Sequence, residues 1–228
     1  MTMDSSALYR LMAWLSPAYP VGSFSYSHGI EWLVESGAIQ TASTLVHWLD
    51  DLLVLGSGRN DGIIFAQSHR AASHGNLEAL FVIAEYAAAF AASAERLLET
   101  QAQGRAFADV TRKTWSSPTL DRLLAAYSLP LCYPLAVGIS AADHGIPLKS
   151  ALEAYVHAFA ANLVSAGMRL IPLGHTEGQR ALMQLEPSVM QTVAAGLSGD
   201  LTQLSSVTLA AEIASMKHET QYTRLFRS

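Results

Sequence analysis

The chain has 228 residues, of which 50% are hydrophobic and only 14% are charged. A chain of this length and composition can bury a core of its own, which excludes disorder over most of its length. Fourteen lysines and arginines against nineteen aspartates and glutamates give a net charge of −5, which excludes the basic face of a nucleic-acid-binding protein.

Helical periodicity rich in Ala and Leu runs through nearly the whole chain, and alternating β-branched runs typical of strands are few. The first predicted helix is capped by Asp4 or Ser5 and ends at Pro17. Its apolar residues follow the 3–4 spacing of one helix face; they are Leu8, Leu11, Met12 and Leu15. The loop at 16–29 holds aromatic residues among its prolines and glycines, so we expect it to pack on the body rather than to be solvated. The later helices are predicted at about 30–36, 41–55, 61–72, 76–90, 94–115, 120–127, 135–143, 148–170, 176–197 and 207–217. Thr41 or Ser43 is the predicted cap of the helix at 41–55, and Asn76 that of the helix at 76–90.

This pattern predicts an all-α fold, a single helical bundle-like domain of about nine to eleven helices over residues 1–228. The loops are short, and no Ser/Pro-rich linker divides the chain. One uncharged stretch, 123–142, has the length of a membrane span. Pro130 and Pro134 each remove a backbone donor within it, which favours a buried pair of helices over a membrane segment.

The compartment is indicated by what the sequence lacks. Cys132 is the single cysteine, so there is no intrachain disulfide and no CxxC site, as suits a reducing cytoplasm. No basic and apolar signal segment is visible at the start of the sequence. We therefore expect a cytoplasmic protein. Because its charges are so few, apolar patches remain on its surface, and such patches indicate partners.

Eight histidines raise the question of a metal site. His28 and Glu31 are spaced i, i+3 and could share a helix face, but the sequence offers no HExxH motif and no identifiable third ligand. His47 has a similar spacing to Asp50 and Asp51, which a solvated helix face explains. His69 and His74 lie at a predicted helix end, where a histidine suits the helix dipole. We therefore predict no metal ligands.

Signatures of nucleophilic or nucleotide chemistry are weak. The sequence has no GxSxG elbow, and Cys132 lies in an apolar stretch that disfavours a thiolate. The glycine pair in Gly56-Ser57-Gly58 follows no strand and precedes no GK[ST], so it predicts a connection between helices rather than a phosphate loop.

Two segments carry candidate binding residues. At the helix junction in 169–180, the hydrogen-bond donors Arg169, Gln179 and Arg180 either bond the free carbonyls of the junction or form a polar contact site. The second segment is the C-terminal tail, about 217–228, which has the composition of an interface hot spot. We expect this tail to be mobile when unbound and to dock a partner rather than its own body. Its candidate residues are Glu219, Tyr222, Arg224, Leu225, Phe226 and Arg227.

The sequence resembles the UreF family of urease accessory proteins. The resemblance rests on SPAYPVGSFSYSHGIEW at 16–32, ETQAQG at 99–104, the segment 169–180 and the C-terminal run, which follow one another in family order over nearly the whole chain. The sequence departs from the family pattern at Tyr19, where Leu or Asn is familiar, and at His28, where Gln is common. The resemblance therefore adds no support for His28 as a metal ligand.

The resemblance implies an all-helical, cytoplasmic homodimer that is an assembly factor rather than an enzyme. Its partners would be a UreD-type protein (UreH in some bacteria), a UreG-type GTPase and apo-urease, into which nickel is installed. Nickel would pass through the complex, and the chain would hold no cofactor stably. Docking of the UreD-type protein would fall on the tail, at Tyr222, Arg224, Leu225, Phe226 and Arg227.

Our hypothesis is that the chain couples the state of the GTPase to metal release by holding its partners in one symmetric complex. An alternative is a GTPase-activating protein that supplies an arginine, Arg169, Arg180 or Arg224, to the γ-phosphate. A distant alternative is a small helical metal-binding enzyme built on His28 and Glu31.

Overall fold

The computed structural model describes residues 4–227, and within that range the chain forms α-helices and short 3-10 turns with no β-strand. The prediction of an all-α fold is confirmed. In chain order the helices are α1 (Ser5–Trp14), α2 (Ile30–Glu35), α3 (Ala42–Val54), α4 (Ser57–Ser73), α5 (Leu77–Ala89), α6 (Ala94–Thr114), α7 (Pro118–Ala126), α8 (Tyr133–Asp143), α9 (Leu148–Leu170), α10 (His175–Gln184), α11 (Glu186–Ser198) and α12 (Leu209–His218).

Several helix starts are set by the caps expected from the sequence. The Thr41 hydroxyl accepts a hydrogen bond from the amide of Thr44 at 3.2 Å, and Asn76 Oδ1 accepts one from the amide of Ala79 at 3.0 Å. Each cap satisfies one of the amides that a helix N-terminus leaves without an intrahelical partner. The starts of α3 and α5 are therefore fixed locally.

The helix predicted at 176–197 is in fact two helices. Residue Leu185 alone separates α10 from α11, and Pro187 lies in the first turn of α11. Proline has no amide to continue the helical hydrogen bonds, so one helix ends and the next begins with a change of direction. When α10 and α11 are counted together, the described residues contain eleven helical units, within the predicted number.

The core is built around α4 and α8. Every residue of α8 from Pro134 to Ala141 is buried, and α4 buries Ile63, Ile64 and Phe65. Six helices, α3, α5, α6, α7, α9 and α11, pack around this pair, while α12 lies outside on α2 and α6. A stable scaffold therefore carries α12 and the residues that follow it.

The uncharged stretch at 123–142 is divided between α7 and α8, with Leu123 and Leu135 completely buried. The prediction of a buried helix pair is confirmed. Among residues 4–227, no helix is both long and apolar enough to cross a membrane.

The loop before α2 packs on the body, as predicted. Tyr19, Val21 and Tyr26 are buried, and the Tyr19 hydroxyl lies 2.7 Å from Thr111 Oγ1 on α6. The buried face of α1 is not the one predicted from the spacing of its apolar residues. Leu11 is buried, but Leu8 and Met12 are exposed, because α1 turns its 7, 11, 14 face to the core.

Candidate partner-docking surface

The residues after α12 form turns and bends that lie against the body, and we call residues 219–227 the strap. The backbone amides of Leu225 and Phe226 both donate to the carboxylate of Glu31, at 2.6 Å to Oε1 and 3.0 Å to Oε2. Glu31 is in the first turn of α2 and is 6% exposed. One buried carboxylate thus binds two consecutive amides of the strap, and hydrogen bonds to a charged acceptor are among the stronger ones.

Two more contacts fix the end of the strap. Arg224 Nη1 donates to Glu95 Oε1 at 2.8 Å, and the amide of Arg227 donates to the carbonyl of Ser25 at 2.7 Å. The expectation of a tail that stays off its own body until a partner binds is therefore wrong for 224–227. The reason is physical: Glu31 and Glu95 give these residues charged acceptors that lie far away in the sequence. The last residue of the predicted tail, Ser228, lies outside the described residues.

Arg169 joins the strap to the loop before α2. Its guanidinium carbon lies 3.8 Å from the centroid of the Phe24 ring and 4.3 Å from that of the Phe226 ring. Cation–π contacts of this kind are worth about 0.5–1 kcal/mol each at exposed positions. Phe226 is 5% exposed, so the arginine and the loop together cover most of its ring.

The junction cluster predicted from the sequence is divided in the structure. Arg169 Nε donates to the carbonyl of Ser165 at 3.2 Å, so it bonds a carbonyl of its own helix while its guanidinium holds the strap. Gln179 and Arg180 lie on α10, where both are exposed and neither side chain makes a hydrogen bond within residues 4–227. Three arginines were considered for GTPase activation. Arg169 contacts the strap and Arg224 is part of it, so Arg180 is the one that takes no part in the strap contacts.

The outer side of the strap is open to solvent and carries two large apolar side chains. Tyr222 is completely exposed, and Leu225 is 77% exposed although its amide is bound. Glu219, Arg224 and Arg227 are exposed beside them. The strap therefore has an inner side fixed by polar contacts and an outer side that presents an aromatic, an aliphatic and charged groups, the composition of a protein interface.

His28 and Glu31, the pair considered as metal ligands, have separate partners. His28 Nε2 lies 2.8 Å from Glu99 Oε1 and 2.6 Å from Arg96 Nη1, while Glu31 binds the strap. Burial, together with the neighbouring Arg96 guanidinium, lowers the pKa of His28, so its imidazole is neutral. Within residues 4–227, no group of three or more His, Cys, Asp or Glu side chains is placed to hold a metal ion.

Three of the remaining sequence candidates have hydrogen-bond partners within the helical body. Asp50 accepts a hydrogen bond from Ser188, His69 Nε2 lies 2.8 Å from the carbonyl of Ile146, and His74 Nδ1 lies 2.7 Å from that of Arg70. The Gly56-Ser57-Gly58 stretch connects α3 to α4, as predicted. Burial raises the pKa of the Cys132 thiol to about 12, which opposes the formation of a thiolate.

A cavity of about 290 Å³, lined mainly by apolar groups with several polar side chains among them, lies between the loop before α2, α6 and α9 and was not predicted. Its lining includes His28, Asp61, Arg96 and Thr100, and the same four residues also line a smaller cavity of about 60 Å³. Asp61 accepts a hydrogen bond from the Tyr155 hydroxyl at 3.1 Å. Burial raises the pKa of Asp61 to about 6, despite the Arg96 guanidinium nearby.

The raised pKa of Asp61 predicts a pH-dependent stability. Asp61 keeps its proton to about pH 6 in the folded chain, whereas in the unfolded chain it ionises near its ordinary value, so stability falls as pH rises between the two. An asparagine at this position would keep the bond to Tyr155 without the charge. We expect Asp61→Asn to raise the free energy of unfolding by about 1–2 kcal/mol at about pH 7.5 and by much less at about pH 4.5.

Urea denaturation at the two pH values measures this difference. The matched control is Asp109→Asn, which makes the same change on the exposed side of α6 and should alter neither value appreciably. An equal gain for Asp61→Asn at both pH values would show that its ionisation costs no stability.

The residues that organise the strap were mostly missed by sequence reasoning. Glu31 was considered only for metal binding, and Glu95 and His218 were given no role. Buried glutamates in the first turn of a helix also suit the helix dipole, so their sequence positions offered no reason to expect distant partners. The usable signal was the C-terminal run itself, whose alternation of aromatic and arginine residues indicated contacts.

Together, the helical body and the strap define a class of protein: an all-α protein that carries a candidate docking element on its surface. Comparison with known proteins identifies the family. A model of the UreF family matches residues 39–186. The chain is 53% identical over 225 residues to the urease accessory protein UreF of Bradyrhizobium diazoefficiens, covering 99% of this chain and 93% of the relative.

A second relative supports the same assignment. The urease accessory protein UreF of Rhodopseudomonas palustris (strain TIE-1) is 50% identical over 225 residues, covering 99% of this chain and 94% of the relative. The chain belongs to the UreF family of urease accessory proteins. Its role is therefore in urease maturation.

Proposed function

We propose that the chain is a non-catalytic assembly factor that joins a UreD-type (UreH-type) protein and a UreG-type GTPase, and with them acts on apo-urease so that nickel enters its metallocentre. The observation that carries this proposal is the similarity to a urease accessory protein over 99% of the chain. The site of action would be the cytoplasm.

The strap is the proposed docking element for the UreD-type protein. Tyr222 and Leu225 are exposed, while Glu31 binds the backbone amide of Leu225 and Glu95 binds the side chain of Arg224. Such an arrangement supports binding, because an interface side chain on an ordered backbone loses less conformational entropy when the partner arrives. Glu219, Arg224 and Arg227 would form its polar rim.

The proposed complex is symmetric, with two copies of the chain at its centre. The number of large apolar side chains left exposed supports further interfaces, since contiguous apolar patches on a soluble protein mark interaction sites. They include three on α1 (Leu8, Tyr9, Met12) and three on α12 (Leu209, Ile213, Met216).

Nickel is the cargo of this assembly, and the chain would contribute geometry rather than a tight site. Passage between proteins requires weak ligands, because a closed tetrahedral set would trap the ion.

The alternative role, activation of the GTPase by an arginine, would fall on Arg180, since Arg169 and Arg224 are held by the strap contacts. Exposed Gln179 beside it would belong to the same contact.

The docking proposal predicts a loss of affinity when the outer side of the strap is removed. We expect Tyr222→Ala with Leu225→Ala to weaken binding to the UreD-type protein by about 30-fold, equivalent to about 2 kcal/mol. The fold should be unaffected, because both side chains are exposed. Calorimetry with the purified proteins gives the affinity, and light scattering with the GTPase added gives the composition of the complex.

A matched control removes the same kind of surface elsewhere. Val82→Ala with Tyr86→Ala deletes an aliphatic and an aromatic side chain from the exposed face of α5. Equal affinity losses for the two pairs would contradict docking through the strap. An unchanged affinity for the strap pair would place the UreD-type interface on the helical body.

A further inference from the structure

A buried histidine joins the two carboxylates that hold the strap. His218 is the last residue of α12 and is 0% exposed. Its Nδ1 lies 2.8 Å from Glu95 Oε2, and its Nε2 lies 3.1 Å from Glu31 Oε2. An ionised carboxylate only accepts hydrogen bonds, so both ring nitrogens must donate for both contacts to be favourable. The geometry is that of an imidazolium between two carboxylates.

The charges in this cluster balance only if His218 is charged. Glu31 and Glu95 bring two negative charges, and His218 and Arg224 bring two positive ones. Without the His218 proton, two buried carboxylates would share one cation, and one of them would face the lone pair of a ring nitrogen. Unpaired buried charge is costly, and release of the strap would admit water to both carboxylates.

The groups farther from the ring do not replace this charge. On the strap side, Glu219 Oε1 lies 3.5 Å from the amide of Glu95 and is acidic. On α2, Glu35 accepts a hydrogen bond from the side chain of Gln221 and is also acidic. Lys217 precedes His218 but is exposed. On α6, the Arg96 guanidinium is nearly buried but is paired with Glu99 and contacts His28. The other charged groups around the ring are therefore acidic, exposed or paired elsewhere.

We propose that the charge on His218 fastens the strap. With His218 protonated, Glu31 and Glu95 are positioned to bind the amides of Leu225 and Phe226 and the guanidinium of Arg224. With His218 neutral, the strap detaches from α2 and α6 and its covered ring, Phe226, becomes accessible. The chain thus carries a conformational switch that responds to protonation, and this switch belongs to the chain alone, whichever partner binds the strap.

The first test measures the charge itself in the unaltered full chain. Long-range ¹H–¹⁵N spectra of the ¹⁵N-labelled protein at about pH 7 distinguish an imidazolium from either neutral tautomer, and an unperturbed histidine is mostly neutral at that pH. The expected result is a His218 ring with both nitrogens protonated. A neutral ring with the strap still closed would overturn the proposal.

The second test removes the charge and then restores the balance. We expect His218→Gln to speed hydrogen exchange at the Leu225 and Phe226 amides by about tenfold or more, with no change in α8. Adding Glu95→Gln returns the cluster to one carboxylate and one cation, and should recover much of the protection. The control, His47→Gln, makes the same replacement at an exposed position of α3.

Two results would contradict the switch. One is a strap as protected in His218→Gln as in the unaltered chain. The other is a double variant no better protected than the single one, which would make His218 a packing residue only. If His218→Gln also speeds hydrogen exchange in α8, the variant has lost more than the strap. The protonation state of His218 in the unaltered chain then decides whether the proposal holds.

Discussion

Gly104→Ala is expected to destabilise the protein by about 4 kcal/mol or more, a large share of the roughly 5–15 kcal/mol by which a folded domain is ordinarily stable. Gly104 lies in α6, where a Cβ atom would fall 2.1 Å from the carbonyl oxygen of Leu131 and 2.9 Å from the carbonyl carbon of Cys132. Both are backbone atoms in the connection between α7 and α8, so a change of side-chain rotamer cannot relieve the overlap. Circular dichroism during thermal and urea unfolding measures the loss.

A second helical glycine provides the control. At Gly62 in α4, the nearest atom to an added Cβ is the carbonyl oxygen of Thr192 at 3.6 Å, an ordinary contact distance. Alanine is the better helix former, so Gly62→Ala should leave stability unchanged or raise it by up to about 1 kcal/mol. If both variants were equally stable, α6 could not pass as close to Leu131 as the structure has it.

The helices were predictable because their causes are local. Periodicity, Thr41 and Asn76 as caps, and the prolines at 130 and 134 act within a few residues, and the structure confirms each of them. The division at Leu185 was also a local effect of Pro187, but the apolar periodicity continues across it and concealed the break. Which face of α1 is buried depended on packing, so Leu8 and Met12 were misplaced.

The strap could not be predicted because its causes are distant in the sequence. Its composition indicated an interface, yet whether that interface is with a partner or with the body depended on Glu31 and Glu95, which lie in α2 and α6. Only the folded arrangement of these helices brings the two carboxylates to either side of His218. The sequence thus indicated the surface, and the structure shows that its inner side is already occupied.

The close approach of α12 to the loop before α2 makes Gly29 the second position of large expected effect. Gly29 has a φ of +77°, and a Cβ there would lie 2.9 Å from the carbonyl carbon of Ala214 and 2.9 Å from the amide of Ser215. Gly29→Ala should therefore push α12 away from the body and separate Glu31 from the strap. We expect a loss of about 3 kcal/mol in the free energy of unfolding.

Gly22 isolates the steric part of this effect. It has the same φ of +77°, but no atom lies within 4 Å of an added Cβ, so Gly22→Ala bears only the conformational cost of about 1 kcal/mol. Hydrogen exchange at Leu225 and Phe226 should accelerate in Gly29→Ala and not in Gly22→Ala. If the strap presents the docking surface, affinity for the UreD-type protein should fall in the same variant alone. Equal effects of both substitutions would mean that backbone strain, and not the contact with α12, controls the strap.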